Sequence, residues 1–340
     1  MNLANIIESH DSASVALIDG DDEITFGTLR ARVAALRAHL AELGVGAGDV
    51  VALVAGNEPH FATASLAVLG LGGIVMPLNP SSTSPELHEK IGAGHPQLLL
   101  IGQHGHELLD HTVEYDIPFV DLDTIDPDAP GDAPDRGSDS PPIVDRRPDD
   151  PAFYMATSGV SGLPKVAILS HGNLDWVQEA LEHSADPLQP DDVVLGVLPF
   201  VHIFGLNVVL FATLRTGATL VLQRRFHPDE SLELVQRHGV TVLTGAPPMW
   251  QRWAEVDVPD DALSSVRYGA SGAASLPLGT FERVRDRFGI EISQGYGLTE
   301  TSPVVTLGRG FPVRPASVGK VLPGVTVALV DMAGEPVDIG

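Results

Sequence analysis

TSGVSGLPK, residues Thr157 to Lys165, leads hydroxyls and glycines into one lysine, between two apolar, strand-like stretches: Phe153-Tyr154-Met155-Ala156 and Val166 to Leu169. Glycines let backbone N–H groups approach an anion closely, hydroxyls donate further hydrogen bonds, and the lysine adds a point charge. The run is therefore a strand-to-strand loop suited to a polyphosphate. It is not a Walker A loop, which needs G-x-x-x-x-G-K-[ST] opening a helix; here Lys165 follows Leu163-Pro164 and precedes Val166.

Outward from this loop, the pattern repeats as strand, turn, helix. Val50 to Ala55 is an apolar strand, Asn57-Glu58-Pro59 a turn with proline at a first helical position, and Ile74 to Leu78 the next strand. Strands are predicted at Val193 to Leu198, Ala218 to Leu222, Val240 to Thr244, Ser265 to Ala270 and Ile290 to Gln294, and helices at Leu29 to Leu43, Phe204 to Leu214, His227 to His238 and Leu278 to Phe288. Short continuous apolar strands alternating with helices signal parallel sheets covered on both faces. The fold class is α/β with more than one sheet.

Residues 121–151 are almost wholly Asp, Pro, Gly and Ser and are expected to form a flexible acidic surface linker. Gly44-Val45-Gly46-Ala47-Gly48 follows a helix and precedes a strand, the reverse of a dinucleotide fingerprint, so it reads as a helix stop. Phe61 to Ser84 carries no charge, but Gly70, Gly72, Gly73, Pro77 and Pro80 divide it into a buried helix and strand rather than a membrane span.

With 340 residues and 44% apolar content, the chain can bury the core of two or three subdomains. A net charge of −25 and a pI near 4.6 argue against nucleic acid or an anionic membrane as partner. The absence of cysteine excludes disulfides and thiolate chemistry, and Glu8 and Asp11 stand where a secretory segment would be apolar; both fit the cytoplasm.

Three further segments fall at ends of predicted strands, where open parallel sheets bind ligands: LPFVHIFG (Leu198 to Gly205), GASGAAS (Gly269 to Ser275) and QGYGLTET (Gln294 to Thr301). Alone, Gly272-Ala273-Ala274 is an ordinary tight connection, and His202 on an apolar stretch is by default a satisfied core histidine. QGYGLTET is stronger: Tyr296 offers a flat face, Thr299 a hydroxyl and Glu300 a hard oxygen for Mg²⁺.

In this order, the segments resemble the adenylate-forming superfamily of acyl-CoA synthetases, luciferases and adenylation domains. TSGVSGLPK with Ser170-His171 is similar to its phosphate loop, VLPFVHIFGL to its acyl-pocket segment, SGAASL to its adenine turn, and QGYGLTET to its adenine and metal loop. ITFGTLRARV (24–33), MPLNPSSTSPEL (76–87) and Arg314 to Lys320 extend the resemblance over nearly the whole chain.

The resemblance implies a layered αβαβα domain: two mostly parallel sheets flanked by helices, with the start of a small β-barrel subdomain over 316–340. It also implies two half-reactions, in which a carboxylate attacks the α-phosphorus of ATP, releasing pyrophosphate, and a thiol, usually of CoA, then displaces AMP. Thr157, Ser158, Gly159, Val160, Ser161, Gly162 and Lys165 would hold the β- and γ-phosphates, Thr299 the α-phosphate and Glu300 Mg²⁺. Gly272, Ala273, Ala274, Gly295, Tyr296 and Gly297 would hold adenine. His202 and Gln294 would border the acid's carboxylate, with Gly205, Gly245, Gly269 and Gly272 leaving room for its chain; the other reading of those glycines is ordinary βα turns.

Several positions depart from the family. Val160 and Ser161 replace two threonines, Val160 losing a donor worth about 1 kcal/mol of phosphate binding; Val166 replaces a freer glycine, and Ser275 stands where proline is common. The family's ribose-binding aspartate and small C-terminal domain with its catalytic lysine would lie beyond Gly340, so the chain is expected to be the large N-terminal domain of a longer enzyme that binds nucleotide and adenylates poorly by itself. A non-catalytic nucleotide- or acyl-binding module is the alternative. Serine hydrolase fails because no G-x-S-x-G is present, and metalloprotease fails because His106 and His111 are one residue too far apart. An apolar pocket segment without an obvious buried cation suggests a fatty or aryl acid rather than an amino acid.

Overall fold

The computed structural model describes residues 1–103, 117–125, 140–157 and 165–337. Its strands, in chain order, are β1 Val15–Asp19, β2 Asp22–Thr25, β3 Val50–Val54, β4 Ile74–Leu78, β5 Leu98–Ile101, β6 Phe119–Asp121, β7 Pro151–Thr157 and β8 Lys165–Ser170. There follow β9 Val193–Gly196, β10 Thr219–Leu222, β11 Val242–Gly245, β12 Tyr268–Ser271, β13 Ile292–Gly297, β14 Val304–Leu307 and β15 Lys320–Val321. They form two sheets, ordered β15-β14-β13-β12-β11-β9-β10-β1-β2 and β6-β5-β3-β4-β7-β8. Pairing is parallel through the centre of each sheet; β2, β14, β15 and β8 are antiparallel additions at the edges. This is the expected fold class of two mostly parallel sheets flanked by helices.

The helices are α1 Phe26–Glu42, α2 Pro59–Gly70, α3 Ser84–Gly94, α4 His171–Glu182, a π-helix Phe204–Phe211 continuing as α5 Ala212–Thr216, α6 Pro228–His238, α7 Pro247–Trp253 and α8 Leu278–Phe288. Their starts are written locally. Thr25 caps α1 by accepting from Thr28 N–H, Ser170 caps α4 from Asn173 N–H, and Pro59 occupies the first turn of α2. Gly239 and Gly289 end α6 and α8 with φ of 61° and 70°. No helix among the described residues is long and apolar enough to cross a membrane; the uncharged Phe61 to Ser84 is most of α2, a glycine turn and β4.

One hydrophobic cluster joins the sheets, running from Leu53 and Phe153 through Phe61 and Phe200 to Leu220 and Trp250. A single polar side chain adds register. Asn57, buried between β3 and α2, donates to the carbonyls of Gly196 and Leu198 at 2.9 Å each and accepts from Phe200 N–H at 3.0 Å. All its hydrogen bonds cross from one sheet to the other.

The flexible linker expected over 121–151 is corrected at both described ends. Phe119–Asp121 pairs with β5, and Val144 N–H donates to Gly70 O while Pro141 O accepts from Arg37 Nε. Asn2 donates to Val144 O at 2.8 Å, and Arg146 and Arg147 both reach Asp150. Backbone groups that meet ordered partners hold residues 119–121 and 141–150 despite the composition. At the other end of the chain, residues 316–337 contribute β15 and an isolated bridge between Val330 and Pro336.

Candidate active site

The phosphate-type run joins two antiparallel strands, β7 and β8. Thr157 and Lys165 are Cα partners across β7 and β8, and Thr157 Oγ1 donates to Lys165 O at 3.3 Å. Ser158, Gly159, Val160, Ser161 and Gly162 lie outside the described residues, as do His106 and His111. Val166 sits opposite Ala156 in regular pairing. There its branched Cβ suits a strand rather than distorting one.

QGYGLTET closes on itself at the end of β13. At Gly297 a Cβ would lie 1.4 Å from Pro303 O, so no other residue fits without moving the chain. Leu298 N–H donates to Pro303 O (3.1 Å) and to Thr301 Oγ1 (2.9 Å), while the Thr301 hydroxyl reaches Pro303 O at 2.7 Å. That turn presents Thr299 and Glu300, and leaves the Tyr296 ring half exposed. From behind, Asn207 of the π-helix donates to Ser302 O at 2.7 Å and accepts from Gln178 Nε2 at 2.6 Å.

A cavity of about 990 Å³ joins these parts at the C-terminal ends of the parallel strands. Its walls include Thr157, His202, Gly272, Ala273, Gly295, Tyr296, Gly297, Thr299 and Glu300, all singled out in the sequence. Ala274 is exposed in the turn beside it, and Lys165 is exposed at the base of the hairpin, off the cavity wall. The imidazole of His202 is accessible at the wall, yet its pKa is lowered, first by desolvation and then by the Lys90 cation. It is therefore neutral at pH 7. Among the described residues no cluster of three or more metal-ligating side chains exists.

Four sequence assignments are corrected. Gly245 and Gly269 do not leave room for a substrate. A Cβ on Gly245 would meet the Trp253 ring at 2.7 Å, and one on Gly269 would meet Trp250 at 3.1 Å, so these glycines seat two fully buried indoles. Gly205 packs on the carbonyls of Pro199 and Leu198, where a Cβ would come within 2.3 Å and 2.7 Å. Gln294 accepts from Leu276 N–H at 2.8 Å through its side-chain oxygen, which fixes the SGAASL turn, and it is not among the residues lining the cavity. Only Gly272 of that glycine set lines the cavity, beneath Phe204.

The sequence reading also missed a buried cation. Arg309 lies at the cavity wall, 7% exposed, with its guanidinium 4.4 Å from the Tyr268 ring centroid. Burial lowers its pKa and pushes that of the Tyr268 phenol up to about 12. The available signal was slight: Gly308-Arg309-Gly310 after an apolar strand. Gly310 takes φ 76° where a Cβ would be 2.5 Å from that of Ala185, a tight turn that helps set Arg309 inward.

Two mostly parallel sheets with a cavity at the carboxyl ends of their strands, lined by the end of β7, the Gly272-Ala273 turn and the Thr-Glu turn, give the architecture of the adenylate-forming N-terminal domain. The sequence matches the AMP-binding enzyme family over residues 7–340, and the chain belongs to that family. It is 31% identical to 4-coumarate–CoA ligase 5 of Oryza sativa subsp. japonica over 338 residues, covering 93% of this chain and 61% of that protein. It is 32% identical to a feruloyl-CoA synthase of an Amycolatopsis species, covering 96% of this chain and 65% of that one. The chain thus spans about three fifths of the length of the curated relatives it matches. ATP-bound MatB from Rhodopseudomonas palustris superposes with a TM-score of 0.87 at 28% identity, over all of this chain and 69% of that one.

Proposed function

We propose that this chain is the large N-terminal domain of an acid–thiol ligase, which activates a carboxylic acid with ATP and passes the acyl group to CoA. In the first step a carboxylate oxygen bonds to the α-phosphorus as the bond to pyrophosphate breaks; in the second a thiol takes the acyl carbon and AMP leaves. The observation that carries this reading is the convergence of the β7–β8 hairpin, the Thr299-Glu300 turn and the Gly272-Ala273 turn on one cavity. Two anions must meet there, so donors and cations have to offset charge building at phosphorus.

Lys165, Thr157 and the loop residues Ser158, Gly159, Val160, Ser161 and Gly162 would hold the terminal phosphates, with Thr299 at the α-phosphate. Tyr296 and the Gly272-Ala273-Ala274 turn would flank adenine. Neutral His202 would approach the acid without adding charge. Glu300, exposed and unencumbered at the rim, fits Mg²⁺, which characteristically takes one or two carboxylates and completes its shell with phosphate oxygens and water. When bound, the ion would supply charge neutralisation on the phosphates. An aryl acid is favoured over a long fatty acid, because the relatives are named for coumarate and ferulate. The cytoplasm, which supplies ATP and CoA, is the proposed location.

Carboxylate-dependent exchange of pyrophosphate into ATP tests the proposal, with this chain alone and extended by a relative's C-terminal domain. Exchange should appear with at least one aryl acid, and Lys165→Ala or Glu300→Ala should reduce it on the order of 100-fold. Nucleotide binding without exchange for any acid would favour a non-catalytic binding module.

A further inference from the structure

Thr299 and Glu300 stand for the α-phosphate and Mg²⁺ in the reading above, yet neither side chain has a hydrogen bond or ion pair with the protein among the described residues. Their aim is therefore set by the backbone of the turn that carries them. That turn closes on itself through Leu298, Thr301 and Pro303, and Ser302 ends it at φ 67°. Serine is disfavoured in the left-handed region, so it persists there only when its surroundings hold it. Among the described residues a single hydrogen bond reaches 298–303 from another element: Asn207 Nδ2 donates to Ser302 O at 2.7 Å.

The direction of that amide is fixed by its neighbours. Ser302 O and Leu174 O can only accept, so Asn207 turns its NH₂ to both, at 2.7 and 3.3 Å. Its Oδ1 is left for Gln178, whose Nε2 donates at 2.6 Å. Both side chains are buried. Gln178 makes no other side-chain hydrogen bond among the described residues, and its Oε1 is unpaired. Burying an amide for one bond does not by itself stabilise a fold, so the worth of this bond lies in locking Asn207.

The π-helix that bears Asn207 also bears the acid side of the site. Phe204, its first residue, lines the cavity, and Leu206 N–H donates to His202 O at 2.9 Å. Asn207 itself is off the cavity wall. Resting on the ligase reading above, we infer that Asn207 is a positioning residue for adenylation. Locked by Gln178, it holds the Ser302 carbonyl, and so keeps Thr299 and Glu300 at a fixed distance from His202 and Phe204.

Asn207→Leu removes both donors and the acceptor at similar volume, and Gln178→Met removes the lock without altering Asn207. The two variants and their combination are compared with the parent by pyrophosphate exchange at varied acid and Mg²⁺, by calorimetric binding of Mg·ATP to this chain, and by melting temperature. Asn207→Leu should raise the Mg²⁺ needed for half-maximal exchange about 10-fold and lower kcat about 10- to 100-fold, with the acid's KM within about 3-fold. Mg·ATP should bind about 10-fold more weakly. Gln178→Met should move the same quantities about 3-fold or more, and the double variant should be no worse than Asn207→Leu alone. Should Asn207→Leu not fold, Gln178→Met carries the test. A lower melting temperature with the parental Mg²⁺ requirement and Mg·ATP affinity overturns the inference, because the clamp would then be structural only. A loss confined to the acid's KM, or losses that multiply in the double variant, overturn it as well. Absence of exchange in the parent with every acid sinks the ligase reading instead, and the calorimetric affinities then still decide the role of Asn207.

Discussion

His171 shows how a residue can belong to a nucleotide motif and serve the core. It follows the β7–β8 hairpin, yet its ring is fully buried, with Nδ1 accepting from Leu3 N–H at 3.2 Å. Desolvation, and then the Arg146 cation, lower its pKa from 6.5 to about 4. The unfolded chain thus takes up this proton before the folded one. Its contribution to stability is full above about pH 6.5, falls as the pH drops toward about 4, and amounts to on the order of 3 kcal/mol. Denaturant titrations between pH 4 and 7.5 should show this loss, and His171→Gln should flatten that part of the profile; an unchanged slope would contradict it.

At the scale of elements, α8 was legible to the residue. Leu278–Phe288 is amphipathic, preceded by Pro277 and closed by Gly289, and all of that information is local. The π-helix was legible only as a helix, because its register depends on Gly205 tucking under Pro199 and on Asn207 reaching α4 and Ser302. Gly245 and Gly269 were misread because the tryptophans that need them arrive on another element, α7. Gly245→Ala should therefore destabilise the fold by about 1–3 kcal/mol through overpacking. Gly279→Ala, with open space around its Cα, should change the melting temperature little. Equal effects in the two variants would return Gly245 to the substrate path. Arg309 was invisible for a related reason: nothing local tells a buried arginine from a surface one.

For the molecule as a whole, the charge of −25 opposes every anion that the cavity is proposed to receive. Long-range repulsion is screened within about 10 Å at 0.1 M salt, while close contacts from Lys165 are screened less. The association rate of ATP, measured by stopped flow, should therefore rise about two-fold or more between 10 and 150 mM salt. A fall over that range would mean that local cations dominate the approach.

The Asn57 clamp bears on how such a chain can diversify. Its partners, Gly196, Leu198 and Phe200, follow it by some 140 positions and sit in the segment that leads into His202 and the acid cavity. A crossover between related genes anywhere in that interval separates the side chain from the backbone it grips. Hybrids whose two parents place that backbone differently would then inherit a mismatched seam. Change in this scaffold is accordingly easier by point substitution along the cavity wall than by exchange of halves.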